Sequence, residues 1–312
     1  MNIRVLVTGV GGPAGTNVVS HSPRGFDIVA CDADPKAREK LKATGRPEVK
    51  FYRVPYARDE EEFISEVNEI VSKEKVELII PTVDEELLIF SGKRERFRTR
   101  IVVSPFETVE VCNDKFLFYE RFREYGFSPR YVVTDRKEDL AVFGREKIFM
   151  KPRIGRGSRG TRIFDDFGEI PDELVNRSNV FCEYLPGHEY TADVLCGFDG
   201  KPIVIMPRKR LEVLKGVCVK GRMEKNRKII KNIEKMCEVL KFTGPINIQF
   251  KLDSKGTPKL VEANPRFSGG LPISIKAGVN PLTLLYDIVQ GKKIEREKLV
   301  WKEIECSQEI ER

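Results

Sequence analysis

Histidine is almost missing from this chain: 312 residues hold only His21 and His188. That scarcity excludes imidazole-built zinc centres and His-activated nucleophiles, so any catalysis must rest on carboxylates, lysine, arginine and a hard metal. The seven cysteines (31, 112, 182, 196, 218, 237 and 306) are scattered without a CxxC pair. They read as reduced core thiols, with no disulfide framework or cysteine-bound zinc. No apolar run approaches the roughly 18 residues of a membrane span. Met1 to Val7 runs straight into a glycine turn and reads as a first strand, with no leader layout. A cytoplasmic protein with no membrane partner is expected. Nor does either charge sign dominate, because 55 basic residues stand among 48 acidic ones, for a formal balance of +7. The charges are interspersed, as on a thermophile surface, so nucleic acid is not the expected main partner.

What the chain does have is alternation. Arg4 to Thr8, Asp27 to Cys31, Val76 to Pro81 and Ile101 to Ser104 are short apolar runs separated by helix-like or turn segments. This predicts a parallel, doubly wound, Rossmann-like sheet over about the first hundred residues. The first turn, Thr8-Gly9-Val10-Gly11-Gly12-Pro13-Ala14-Gly15-Thr16, has the glycines of a dinucleotide loop, and Asp32 ends the second run where a ribose-binding acid would sit. An NAD(P)-binding oxidoreductase is therefore one reading; glycines that merely let a helix start close to a strand are the other. A helix is predicted from about Asp114 to Tyr125, with Asn113 as its cap and Gly126 as its stop. Strands near Tyr131 to Thr134 and Ile148 to Pro152 follow.

After Lys151 comes Pro152-Arg153-Ile154-Gly155-Arg156-Gly157-Ser158-Arg159-Gly160. Its three glycines and serine let backbone N–H groups approach an anion, although no Gly-Lys-Ser/Thr closes it as in a Walker A loop. Arg153, Arg156 and Arg159 are either surface charge or a clamp for an acidic or phosphorylated substrate.

The densest chemistry lies between Gly244 and Gly270. Ile246 to Leu252 and Lys259 to Asn264, joined by Asp253-Ser254-Lys255-Gly256-Thr257-Pro258, predict an antiparallel hairpin. A symmetric register sets Gln249 opposite Glu262 and Asn247 opposite Asn264, with Ile248, Phe250, Val261 and Ala263 on the other face. Facing Cβ atoms lie about 5 Å apart, so the oxygens of Gln249, Glu262 and Asn264 can converge on a hard cation such as Mg²⁺. Pro265 then ends the strand and turns the planar fork of Arg266 back toward the same spot.

The ordered series Lys115, Lys151-Pro152 with the glycine loop, Phe181 to Asp193, then Gln249, Glu262, Asn264 and Arg266 resembles the ATP-grasp superfamily. It is most similar to the branch containing the carbamoyl-phosphate synthetase large subunit and the ligase of pyrrolysine biosynthesis. That resemblance implies a mixed α/β and α+β fold: an N-terminal Rossmann-like (pre-ATP-grasp) domain over residues 1–107, a small lobe with the phosphate loop over 108–183, and a C-terminal lobe with the Mg-ATP site over 184–312. It implies that Lys115 and Lys151 contact ATP, that Gly157, Ser158 and Gly160 close over the phosphates, and that Glu183, Tyr184 and Leu185 form a hinge strand beside adenine. Glu189 would hold the ribose, Gln249, Glu262 and Asn264 would hold Mg²⁺ or Mn²⁺, and Arg266 would steady the phosphoryl group. The implied reaction is ATP-dependent ligation of a small carboxylate and an amine through an acyl phosphate, with ADP and phosphate released, by a chain that pairs as a homodimer. One ATP-grasp unit is too little for carbamoyl phosphate production.

Substrate contacts are expected from Gly11 and Gly12, and from Asp84 or Glu85 receiving an amine. Asp84-Glu85-Glu86 reads equally as the acidic first turn of a helix. Arg208 and Arg210, at alternate positions of a strand, either hold a substrate carboxylate or acyl phosphate or lie on a solvated edge. A nucleotide- or nucleic-acid-binding protein without ligase activity is the remaining alternative.

Overall fold

The computed structural model describes residues 2–155, 157 and 159–309. Its first hundred residues form a five-stranded parallel sheet, ordered β3-β2-β1-β4-β5. The strands are β1 (Ile3–Thr8), β2 (Phe26–Asp32), β3 (Lys50–Arg53), β4 (Leu78–Ile80) and β5 (Arg100–Ile101), linked through α1 (Pro13–His21), α2 (Ala37–Lys42), α3 (Glu60–Glu74) and α4 (Asp84–Gly92). Four of these strands fall where the apolar runs predict them. The polar edge strand β3, Lys-Phe-Tyr-Arg, carries no such run and escapes the pattern.

Along β1 the side chains alternate between two cores, as the pleat requires. Val5 and Val7 pack into one with Leu271, Leu282 and Leu285. Leu6 points into the other with Phe63, Val67 and Phe90 of α3 and α4. The C-terminal helices α8 (Leu271–Lys276) and α9 (Pro281–Val289) thus cover one face of the N-terminal sheet, binding the two ends of the chain together.

Two short helices, α5 (Phe106–Asn113) and α6 (Lys115–Phe122), lead to a four-stranded antiparallel sheet of β6 (Tyr131–Val132), β7 (Ile148–Pro152), β8 (Arg162–Phe164) and β9 (Asn179–Glu183). The cap of α6 is Asp114, one residue past the expected Asn113: its carboxylate accepts from the N–H groups of Phe116 and Leu117. The α-helix stops at Phe122 and finishes as a 3₁₀ turn whose end is Gly126 at φ 77°, the left-handed position that favours glycine.

The third sheet holds β10 (Glu189–Cys196), β11 (Pro202–Leu214), β12 (Val217–Met223), β13 (Gly244–Leu252), β14 (Pro258–Asn264) and β15 (Glu305–Ser307), with α7 (Arg227–Val239) packed beneath it. The β13–β14 register pairs Gln249 with Glu262 and Asn247 with Asn264 as expected, then slips. Phe250 faces Leu260, so Val261 is the extra residue of a β-bulge and Leu260 takes the buried place expected for Val261.

A candidate nucleotide and metal cleft

A cleft of about 1550 Å³ opens where the three sheets meet. It is lined by both ends of the molecule: the glycine turn with Gly9, Gly11 and Gly12 at one side, and Lys115, Lys151, Glu183, Glu262 and Arg266 at the other. Lys115 and Lys151 are buried, at 7% and 4% exposure.

Lys115 is carried to its place by the cap that precedes it. Arg153 lies over the Phe116 ring and donates to both Asp114 oxygens at 3.1 Å, which holds the start of the glycine loop against α6. The Lys115 ammonium, one residue past the cap, donates to the Gly155 carbonyl at 2.7 Å. Arg153 is therefore a strut of the fold, a role neither sequence reading gave it. Lys151, at the inward end of β7, donates to the Val261 carbonyl at 2.8 Å and lies 5.1 Å from the Tyr119 ring centroid. The Tyr119 hydroxyl reaches the same carbonyl at 2.9 Å. The bulge matters here, because a residue outside the ladder can turn its C=O to side chains.

Burial pulls both ammonium groups below the ordinary lysine range, against the opposing pull of Glu262 on each, and Lys115 depresses Lys151 further. Neither has an ion-pair partner within bonding distance among the described residues. Such a pair is a charge held ready for anionic oxygens.

Across from them the polar face of the hairpin converges as expected. Glu262 Oε1 accepts from Gln249 Nε2 at 2.9 Å and Asn264 Nδ2 at 3.3 Å. Turning both terminal amides over exchanges each N–H₂ for an oxygen, which gives one carboxylate and two carboxamide oxygens, a donor set that fits a hard divalent cation. Among the described residues no three His, Cys, Asp or Glu side chains cluster as a metal site. Gln249 Oε1 accepts from Arg210 at 3.2 Å, and Arg210 also binds Glu189 at 2.5 Å and the Gly216 carbonyl at 2.7 Å.

The two arginines of β11 lie in the interior, so the solvated-edge reading fails. Arg208 is 1% exposed. Its guanidinium is paired with Asp193 and donates to Ser274 Oγ at 3.0 Å and Ser268 Oγ at 3.1 Å. Its Nε and that of Arg210 are buried with no hydrogen-bond partner among the described residues. Asp193, to which the sequence assigned no role, was detectable as a lone charge inside the apolar run Ala192 to Cys196, a place where an acid needs a partner.

Arg266 is also paired, with Nε to Asp84 Oδ1 at 2.7 Å and Nη2 to Asp84 Oδ2 at 2.8 Å. Asp84 opens α4, as the acidic-first-turn reading requires, and lines the cleft as well. Glu85 lies beside it on the smaller recess between α4 and α5. Glu183 closes β9, so the strand stops before Tyr184 and Leu185; both still line the cleft, with Tyr184 N donating to the Lys147 carbonyl at 3.1 Å. Gly157 and Gly160 hold φ of 64° and 73°, conformations suited to glycine, while Ser158 and Arg156 fall outside the described residues.

At the other end, Asp32 turns back on its own loop. Its Oδ2 accepts from Gly11 N at 2.7 Å and its Oδ1 from Asp34 N at 2.8 Å. Each oxygen thus accepts one backbone N–H, and the acid expected to hold a dinucleotide ribose braces the glycine turn.

Two lysines, a glycine loop, a carboxylate with two carboxamides, and an arginine line one cleft between the sheets, and residues 176–309 match the family model described as ATP-grasp in the biosynthetic pathway with Ter operon. The matched stretch, less than half of the chain, is similar to an ATP-grasp domain. Over 220 residues it is 26% identical to the carbamoyl phosphate synthase large chain of Thermoanaerobacter pseudethanolicus, a match covering 64% of this chain but only 20% of that one. It therefore spans about a fifth of that relative's length. Among solved structures, N5-carboxyaminoimidazole synthetase from Staphylococcus aureus, complexed with ADP, superposes with a TM-score of 0.74 at 15% identity, covering 95% of this chain and 80% of that one. The biotin carboxylase domain dimer of Hydrogenobacter thermophilus 2-oxoglutarate carboxylase, bound to MgADP, ADP and bicarbonate, gives 0.72 at 14%, covering 95% and 71%. These structural likenesses establish the fold.

Proposed function

We propose that this chain is an ATP- and Mg²⁺-dependent, ADP-forming ligase that activates a small carboxylate as an acyl phosphate and joins it to an amine. The observation that carries the reading is the convergence of Lys115, Lys151, Glu262 and Arg266 on one cleft, the two lysines being buried charges that no acidic side chain among the described residues pairs. Burying an ammonium in that way is costly unless a ligand repays it, and a triphosphate does so.

Bound Mg²⁺, held by Gln249, Glu262 and Asn264, would neutralise phosphate charge. The remaining roles belong to the chain. Lys115 and Lys151 hold the phosphates, and the loop containing Gly157 and Gly160 closes over them and keeps water out. Glu183, Tyr184 and Leu185 border adenine. Glu189, which Arg210 steadies, takes the ribose, and Arg266 stabilises the group being transferred. Phosphoryl transfer needs positioning and charge more than covalent catalysis, so this set suffices without histidine. The carboxylate attacks the γ-phosphorus, the bond to the β-phosphate oxygen breaks and ADP leaves; the amine then displaces phosphate from the acyl carbon.

The substrate end lies at Gly11, Gly12 and the start of α4, with Arg208 and Arg210 on the facing wall. A division at 107 and 183 is supported by one sheet falling in each stretch. None of the described helices is long and apolar enough to cross a membrane. A homodimer is proposed on the precedent of the biotin carboxylase dimer.

The test is thermal unfolding with Mg-ATP, then ADP release with acid and amine pairs. Nucleotide at a hundred times its Kd raises stability by about 2.7 kcal/mol. Glu262→Ala should abolish the Mg²⁺-dependent part of that shift. A full Mg²⁺-dependent shift in the variant would remove the metal assignment.

A further inference from the structure

Arg266 reaches the cleft from the loop after β14, yet its strongest partner comes from the other end of the chain. Asp84 stands 182 positions earlier, at the first residue of α4, and binds the guanidinium along one whole edge at 2.7 and 2.8 Å. Nη1 donates to the Phe267 carbonyl at 3.0 Å. Three of the five N–H groups are thus taken by protein acceptors, and two remain, one on each terminal nitrogen. Both residues line the cleft and both are largely buried, with side-chain exposures of 16% and 18%.

An arginine has several rotatable bonds, and an unanchored one samples many fork orientations. Asp84 itself is held firmly. It follows Val83, whose Cγ2 fills the space beside Gly9, and Thr82, whose hydroxyl donates to the Thr8 carbonyl at 2.6 Å. The carboxylate is thereby fixed to the end of the parallel sheet, and the arginine is fixed to the carboxylate.

Resting on the ligase reading above, we propose that Asp84 is the positioning residue of Arg266: it locks the fork so that the two remaining N–H groups meet a phosphoryl group only as that group is transferred. It also moves Asp84 from receiving a substrate amine to orienting the charge that stabilises the transfer. A geometry tuned to the moving group favours the transition state over bound nucleotide.

The test compares two probes by titration calorimetry on the full chain: Mg²⁺ with a non-hydrolysable ATP analogue, and Mg-ADP with aluminium fluoride as a mimic of the moving phosphoryl group. Asp84→Asn keeps size and loses the charge and one acceptor. It should leave the analogue's Kd within about twofold while weakening the fluoride complex by about tenfold or more. Asp84→Glu, which restores a carboxylate, should recover part of that loss. Equal weakening of both probes, or a lowered melting point with both affinities intact, would overturn the proposal and leave the pair a clamp between sheets. If the unsubstituted chain binds neither probe, the ligase reading falls, and the positioning role falls with it.

Discussion

Replacing Lys151 by methionine should make the free protein no less stable and the nucleotide complex much weaker. Lys151 is 4% exposed, its ammonium held by one carbonyl at 2.8 Å and lying over the Tyr119 and Phe149 rings, with no carboxylate partner among the described residues. Methionine is one heavy atom shorter and fills most of the same slot without a charge. The cost is one of the two hydrogen bonds to the Val261 carbonyl, about 1 kcal/mol, because the Tyr119 hydroxyl still reaches that oxygen at 2.9 Å. Against this stands relief of a desolvated charge, worth at least as much. The net should lie between neutral and about 1 kcal/mol stabilising, up to about 2 °C in Tm for a chain of this size. In the complex, a charge-assisted bond to phosphate is lost, about 1.5–3 kcal/mol or roughly ten- to a hundredfold in Kd. Thermal unfolding with and without saturating Mg-ATP reads both numbers in one experiment. A free variant destabilised by more than about 3 kcal/mol would mean that the lysine is structural. An unchanged nucleotide shift would mean that no phosphate lies near it. Either result refutes the reasoning.

Two further outcomes follow from buried charge. Because burial lowers Lys115 and Lys151, the folded chain releases these protons at lower pH than the unfolded chain does. Free-protein stability should therefore rise with pH between the lowered values and the ordinary lysine value of about 10.4. ATP affinity, which needs both charges, should be complete below that window and fall through it; an affinity flat to pH 10 would contradict the assignment. Asp193→Asn should cost about 3–5 kcal/mol in urea unfolding, because Arg208 would keep a dry charge with only two serine hydroxyls. Adding Arg208→Met should restore much of the loss, and a single-variant cost under about 1 kcal/mol would show that water reaches the pair.

Local pattern carried a good part of this protein. Period-two alternation fixes which side chains of β13 and β14 share a face, so Gln249, Glu262 and Asn264 were readable as one cluster before any fold was known. The glycines at 126, 157 and 160 follow from backbone sterics alone. The same logic erred by one position at the bulge, where Leu260 is buried in place of Val261, because a ladder slip depends on what the freed carbonyl can bind and not on the strand itself.

Everything that joins distant segments lay beyond the sequence. Asp32 could hold a ribose or close its own loop, and only the folded turn brings Gly11 N to 2.7 Å from it. The buried Arg208–Asp193 pair and the 182-residue span from Asp84 to Arg266 depend on how the sheets pack. Residue type and spacing therefore determined the donor chemistry, since dihedral preference and pleat act over a few residues. Tertiary packing decided which charges meet, because ion pairing depends on distance and burial, and neither is encoded locally.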